Sequence, residues 1–432
     1  MRIGLYGSIA NNMYCLTKVL RSQGYDAEYI HNPSDTYPFS QPLWEDVDLT
    51  LGYDRVTERI PDVTEWERIA AMSGWTRPSW VVEPPATPIG IYAAAKVALK
   101  TFPPLPGYSR PQLRQTLGYI RSTQQLAQHM ATYDWLIVCG VGVVAAYFSK
   151  KPYLYWPHGG DVRVLPLKKD TPFDRWFATL LRKAAAKATI KGSHDPTLVD
   201  CMRGMGVPGP FPYLPFIVDT EKYAPQPETD EGLLPAEVLE RAKGKRVLLL
   251  SSRQDFRWKG TDQFLKAFVK AVREEAHLFL IISRWGPDAP KAEAMLREGG
   301  VQDSVYYLDH VLSKPLLIRF YNLADVVVDQ FLIAAHGTTM LEAMACETPV
   351  MIKFESSRFV DYWPDYKDPP IINVGDEEAI FRALCDISAG KLDLKGMGIA
   401  ARRWVEEHHG PSQTSRYLLP QGAKEYAHAR AS

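Results

Sequence analysis

The sequence is short of everything that would tie it to a metal, a disulfide framework or a membrane span. Its five cysteines, Cys15, Cys139, Cys201, Cys346 and Cys385, are odd in number and scattered. They show neither zinc-site nor disulfide-scaffold spacing, so no metal and no bridge is expected. The longest apolar run, Trp135 to Phe148, has 14 residues, against the roughly 20 that a membrane-crossing helix needs. The first residues turn polar at Asn11-Asn12, which is not the pattern of a secretion signal. Net charge is missing too: 50 basic residues cancel 50 acidic ones, and no overall field draws the chain to nucleic acid. A reducing, cytoplasmic setting is the expectation.

Neutrality conceals a segregation. Residues 1–89 hold 7 Lys and Arg against 12 Asp and Glu, whereas residues 90–192 hold 15 against 4, a surplus of 15 − 4 = 11. Within this block Lys96, Lys100, Arg110, Arg114 and Arg121 are interleaved with Phe102, Leu105 and Tyr108. Such a mixture suits an anionic membrane surface or a lipid-diphosphate acceptor, and it equally suits a solvated helical face.

A chain of 432 residues that is 46% apolar exceeds one compact core and can fill two. Short apolar, β-branched runs alternate with longer amphipathic stretches, the rhythm of a parallel α/β sheet. Strands are expected in Arg2–Gly7, Ala27–Ile30, Asp134–Gly140, Tyr153–His158 and Ala188–Gly192 of the first half. In the second half they are expected in Arg246–Ser252, His277–Ser283, Ser304–Leu308, Val326–Phe331 and Pro349–Phe354. Phe264, Leu265, Phe268, Ala271 and Val272 recur at helical spacing and would face the second sheet. Pro225, Pro227 and Pro235 mark Thr220–Glu240 as a linker. The predicted organisation is an N-terminal, Rossmann-like domain over 1–219, with an insertion at about 31–90. A C-terminal Rossmann-like domain over 241–410 and a tail, 411–432, packing back on the first domain complete it.

Two segments carry the chemistry. In Ser251-Ser252-Arg253-Gln254-Asp255-Phe256-Arg257-Trp258-Lys259-Gly260, cations leave a strand end and reach a glycine just before a helix, where an open α/β sheet presents its crevice. Arg253 and Lys259 there would neutralise a diphosphate without a metal, unless the loop is ordinary solvated surface. In the second, Val326–Phe331 leads to His336-Gly337-Thr338-Thr339-Met340-Leu341-Glu342-Ala343-Met344-Ala345. A glycine admits a close ligand, and a helix N-terminus aims amides at it. Glu342 stands three residues after Thr339, so it also fits the acid of a capping box.

Together, Arg253, Lys259-Gly260 and Gly337…Leu341-Glu342-Ala343-Met344-Ala345…Thr348-Pro349-Val350 resemble glycosyltransferase family 4. The resemblance extends through Ser283–Pro287 and Tyr306–Val311, and more weakly to Gly7-Ser8, His158-Gly159-Gly160-Asp161 and Val218-Asp219 with Tyr223. It implies a GT-B fold, two Rossmann-like doubly wound domains facing a cleft, the N-terminal one binding the acceptor and the C-terminal one the nucleotide sugar, and retaining transfer from a nucleoside diphosphate sugar. By position it implies that Arg253 and Lys259 hold the diphosphate and that Gly337, Thr338 and Thr339 offer amides to it. Glu342 would take the ribose hydroxyls, His310 and Val311 would meet the base, His158 would touch the donor sugar and Gly7 would line the cleft.

The departures are specific. The family's first glutamate, eight residues before Glu342, is Ala334 here, and Gln330 or His336 would replace its contacts to the transferred sugar. Pro215-Phe216-Ile217 and Glu347 also break the pattern, Glu347 where the family has glycine. No close carboxylate pair suggests a protein nucleophile. The resemblance therefore implies that the leaving phosphate takes the acceptor's proton, with Arg253 and Lys259 stabilising its charge. No cofactor is expected, the acceptor is open, and a role in polysaccharide synthesis at the inner face of a membrane fits. A sugar-nucleotide epimerase of the same fold, or an inactive nucleotide-binding homologue, stays open.

Overall fold

A computed structural model describes residues 1–7, 9–32, 40–48, 50–51, 64–84, 110–227, 232–309 and 311–420. The chain separates into two compact units. The first comprises Met1–Asp35, Arg77–Ile217 and Ser412–Ser432, the second Thr36–Thr76 and Val218–Pro411.

The first unit is built on β1 (Arg2–Tyr6), β2 (Asp26–Ile30), β4 (Val81–Val82), β5 (Trp135–Val138), β6 (Tyr153–Tyr155) and β7 (Ile190–Lys191). They form one sheet in the order β4-β2-β1-β5-β6-β7, parallel throughout. A parallel sheet covered on both faces needs continuous apolar runs, and all four residues of β5 are buried. Helix Pro172–Lys187 starts where Thr171 and Asp174 close a capping box. Residues after the second unit return here: Trp135 Nε1 donates to the carbonyl of Leu418, 3.1 Å away.

The second unit repeats the plan with β8 (Arg246–Leu250), β9 (Leu278–Ser283), β10 (Val305–Leu308), β12 (Val326–Val328), β13 (Val350–Ile352) and β14 (Ile372–Asn373). The order is β10-β9-β8-β12-β13-β14, again parallel. In both units the first strand is central, the chain first winds to one side and then crosses to the other. That order creates a switch point, here between β8 and β12, whose carboxyl ends flank a crevice. Phe264, Leu265, Phe268 and Ala271 of helix Thr261–Arg273 are fully buried against this sheet, with Val272 partly buried at its margin.

The second unit also claims a piece of the region read as an N-terminal insertion. Strand β3 (Thr50–Leu51) pairs antiparallel with β11 (Val311–Leu312). Leu43, Trp44, Ile69, Trp285 and Val311 form one apolar cluster, and Lys222 Nζ lies 2.8 Å from the buried Glu45 carboxylate. The stretch expected as a linker begins inside this unit. Val218 N donates to the carbonyl of His409, and Arg402 bonds the carbonyls of Thr220 and Tyr223. The chain passes between units at Ile217 and Val218 instead.

Candidate functional site

After β8 the chain turns through Ser251–Gly260, and Asp255 organises the turn. Its carbonyl accepts from the amides of Lys259 and Gly260, its Oδ1 from Trp258 N, and its Oδ2 lies 3.0 Å from Arg253 Nη2. One acidic residue thus orients both cations read from the sequence. Gly260 sits at φ +68°, and a Cβ there would come within 2.7 Å of Leu332 Cγ, so only glycine fits between this loop and the loop after β12. The Ser283–Pro287 turn braces the other side. Gly286, at φ +100°, would put a Cβ 2.6 Å from the Gln254 carbonyl oxygen, while Gln254 N donates to the Trp285 carbonyl.

From the end of β12, Asp329 points back at the cation loop. Lys259 Nζ is 2.6 Å from Asp329 Oδ1. Asp329 is fully buried, and its Oδ2 has no hydrogen-bond partner. That oxygen would lie 3.8 Å from a Cβ placed on Gly337. Gly337 is the N-cap of helix Thr338–Ala345, whose N-terminus no side chain caps. Gly337, Thr338 and Thr339 are partly exposed, so a helix start with no side-chain cap, which favours negative charge, stands beside Asp329, the partner of Lys259.

Glu342 is not the acid of a capping box. Its Oε1 accepts from Lys314 Nζ at 2.6 Å, its Oε2 from the same nitrogen at 2.7 Å and from the Tyr321 hydroxyl at 3.1 Å. Lys314 and Glu342 are both buried. Burial and the Glu342 carboxylate push the Tyr321 phenol well above its ordinary range, so it keeps its proton and donates. The sequence reading gives Asp329, Asp255, Lys314 and Tyr321 no role. Only Asp329 carried a signal, an acid ending a run of three valines.

The two residues expected to stand in for the missing glutamate are engaged otherwise. Gln330 Nε2 donates to the Ala335 carbonyl, tying down its own loop. His336 lies among Phe354, Phe359, Tyr366 and His409, with ring centroids 5.2–6.4 Å apart, and burial pushes its pKa down to about 3. Val311 belongs to the apolar cluster around Trp285. His310 lies outside the described residues.

In the first unit, Gly7 stands at φ +133° against Cys139, whose Sγ would be 2.0 Å from an added Cβ. Close packing onto Cys139, just past the end of β5, by itself requires the glycine. His158 follows β6 in a loop held by Asp161, which accepts from the amides of His158 and Gly159 and from the Tyr155 hydroxyl. Neither His158 ring nitrogen has a hydrogen-bond partner. Burial drives its pKa down to about 3, leaving a neutral imidazole. Of the basic block, Arg114 and Arg121 are exposed on helix Arg110–Met130, and Lys96, Lys100, Phe102, Leu105 and Tyr108 lie outside the described residues.

The chain is similar to known proteins. Residues 245–389 match the family model described as Glycosyl transferases group 1. Over 201 residues the chain is 26% identical to a GDP-mannose-dependent alpha-(1-6)-phosphatidylinositol monomannoside mannosyltransferase of Mycolicibacterium smegmatis; the match spans 45% of this chain and 51% of that protein, so about half the relative's length is matched. Among solved structures, sucrose-phosphate synthase from Thermosynechococcus elongatus superposes with a TM-score of 0.60 at 16% identity, covering 100% of this chain and 99% of that one. Anabaena Alr3699/HepE in complex with UDP and glucose superposes with a TM-score of 0.59 at 11% identity, covering 100% of both. At such identities the structures establish the fold. Residues 245–389 thus match a glycosyltransferase group 1 domain, in a chain with the GT-B fold.

Proposed function

We propose that this chain transfers a sugar from a nucleoside diphosphate sugar to an acceptor hydroxyl, with retention at the anomeric carbon and without a metal. The observation that carries the reading is the Lys259 and Asp329 pair at the switch point, 2.6 Å apart, beside Arg253 and the uncapped start of helix Thr338–Ala345. A leaving diphosphate gains charge as the glycosidic bond breaks, and preoriented cations and amides are worth most where water is displaced. The departing phosphate oxygen takes the acceptor proton, and no protein nucleophile is involved. His158, neutral and with both nitrogens unengaged, is suited to hydrogen-bond a sugar hydroxyl in either role, as donor or acceptor. Glu342 reads the ribose.

The Mycolicibacterium relative is named for GDP-mannose and a phosphatidylinositol mannoside acceptor, and the Anabaena structure holds UDP and glucose. Both support a nucleotide-sugar donor, and the first supports a lipid-borne acceptor; the charge surplus of residues 90–192 suits contact with the inner face of a membrane. The decisive experiment incubates the protein with UDP- and GDP-sugars and with lipid and glycan acceptors. Nucleoside diphosphate released together with a new α-glycoside from an α-linked donor supports the proposal. An altered sugar still on its nucleotide would establish epimerisation, and binding with no turnover would establish an inactive homologue.

A further inference from the structure

Trp285 faces two ways. Its ring belongs to the apolar cluster of Leu43, Trp44, Ile69 and Val311, the first three of which lie far upstream of the second unit's sheet. Its polar atoms hold the cation loop on either side of Arg253. Nε1 donates to the Ser251 carbonyl at 3.1 Å, and the Trp285 carbonyl accepts from Gln254 N at 2.8 Å. Asp288 extends this hold, its amide donating to the Gln254 carbonyl and its Oδ2 accepting from Phe256 N at 2.9 Å. Backbone fixed before and after Arg253 fixes the point from which the guanidinium reaches out. That point depends on where the indole sits, and a close-packed indole sits where Trp44 and Ile69 put it.

The upstream residues are fastened to the second unit away from that cluster as well. Lys222 Nζ bonds both the carbonyl and the carboxylate of Glu45, at 2.9 Å and 2.8 Å. Arg319 Nη1 lies 3.7 Å from Asp48 Oδ2, and β3 pairs with β11. Trp75 Nε1 donates to Asp46 Oδ2 at 3.2 Å, tying the end of helix Thr64–Ser73 to helix Leu43–Asp46. The two helices thus form a fixed backing to Trp285.

We infer that helices Leu43–Asp46 and Thr64–Ser73 are a positioning strap for the cation loop: Trp44 and Ile69 hold Trp285, and Trp285 holds the backbone around Arg253. The inference deepens the nucleotide-sugar reading above, on which its ligand readout rests. It brings into the donor site residues far outside the family-matched stretch 245–389.

The test is hydrogen–deuterium exchange of the full chain, unaltered and as Trp44→Leu, Ile69→Ala and Trp285→Phe, with Ile69→Ala the mildest should Trp44→Leu not fold. In each variant the amides of residues 251–260 should exchange about tenfold faster while helix Thr338–Ala345 keeps its protection. Exchange raised evenly across the second unit, as plain destabilisation gives, or unchanged at 251–260 would overturn the inference. Titration calorimetry supplies the ligand readout. Ile69→Ala should weaken GDP and UDP binding about fivefold, but less than about twofold in an Arg253→Ala background, where no guanidinium is left to misplace. Equal losses in both backgrounds would also sink the strap. If neither nucleotide binds the unaltered protein, the nucleotide-sugar reading falls, and the exchange pattern by itself still decides the strap.

Discussion

Lys259 Nζ lies 2.6 Å from Asp329 Oδ1, across 70 residues of sequence, and it is the only cation that hydrogen-bonds this buried carboxylate among the described residues. The pair therefore serves stability as well as any ligand. Lys259→Ala should weaken nucleoside diphosphate binding and, by leaving Asp329 buried alone, destabilise the second unit by about 3 kcal/mol. Adding Asp329→Ala should restore most of the stability but not the affinity. Urea unfolding and calorimetry on the unaltered protein and the two variants separate the two effects.

The cation loop is held from its far side by Gly286, where a Cβ would meet the backbone of Gln254 at 2.6 Å and 2.7 Å. Gly286→Ala must shift Gln254 and with it Arg253. A loss of about tenfold or more in nucleoside diphosphate affinity is expected, since misplaced charge-assisted contacts lose about 1.4 kcal/mol or more. Unchanged binding in the folded variant would detach the 283–287 turn from the site.

Glu347 occupies the left-handed region at φ +61°, where the family pattern has glycine. It cannot relax, because helix Leu394–His409 packs tightly on it: a Cβ on Gly398 would lie 1.9 Å from the Glu347 carbonyl oxygen. Glu347→Gly should raise stability by about 1 kcal/mol, read as a higher urea midpoint with unchanged slope.

Burial pushes the His336 pKa down to about 3 in the folded chain, against an ordinary 6.5. Below pH 6.5 the unfolded chain takes up a proton that the folded chain refuses, so the stabilisation is complete above 6.5 and is lost as the pH falls toward 3. The slope is about 1.4 kcal/mol per pH unit. His336→Phe, which suits the ring of Phe354, Phe359 and Tyr366, should flatten the fall in unfolding free energy of the second unit between pH 7 and pH 5. An identical pH dependence in the variant would show that His336 is not buried neutral.

The central strands were legible because parallel sheets demand uninterrupted apolar runs, and Leu248-Leu249-Leu250 or Val326-Val327-Val328 can hardly read otherwise. Strands β4, β11 and β14 have two residues each, too few for any period. The cations Arg253 and Lys259 were visible from their place between a strand and a glycine. Their anchors were not: Asp255 works through its carbonyl as much as its carboxylate, and Lys314 meets Glu342 from 28 residues away. His336 looked like a ligand beside a glycine, and its aromatic surroundings come from residues 354 to 409. Chemistry at a site is decided by neighbours that only the fold supplies.

The two units are interleaved along the chain, and that sets an order of events during synthesis. Residues 36–76 leave the ribosome long before β8, so Trp44 and Ile69 must wait for Trp285 and Val311. The first unit waits longer: Leu418 is fully buried in it, yet follows every strand of the second. Its sheet can form early, but Trp135 finds its carbonyl partner only after the second unit's last helix, Leu394–His409, has been made. Neither half is a separable module, and a version cut at residue 218 would give two pieces, each lacking part of its core.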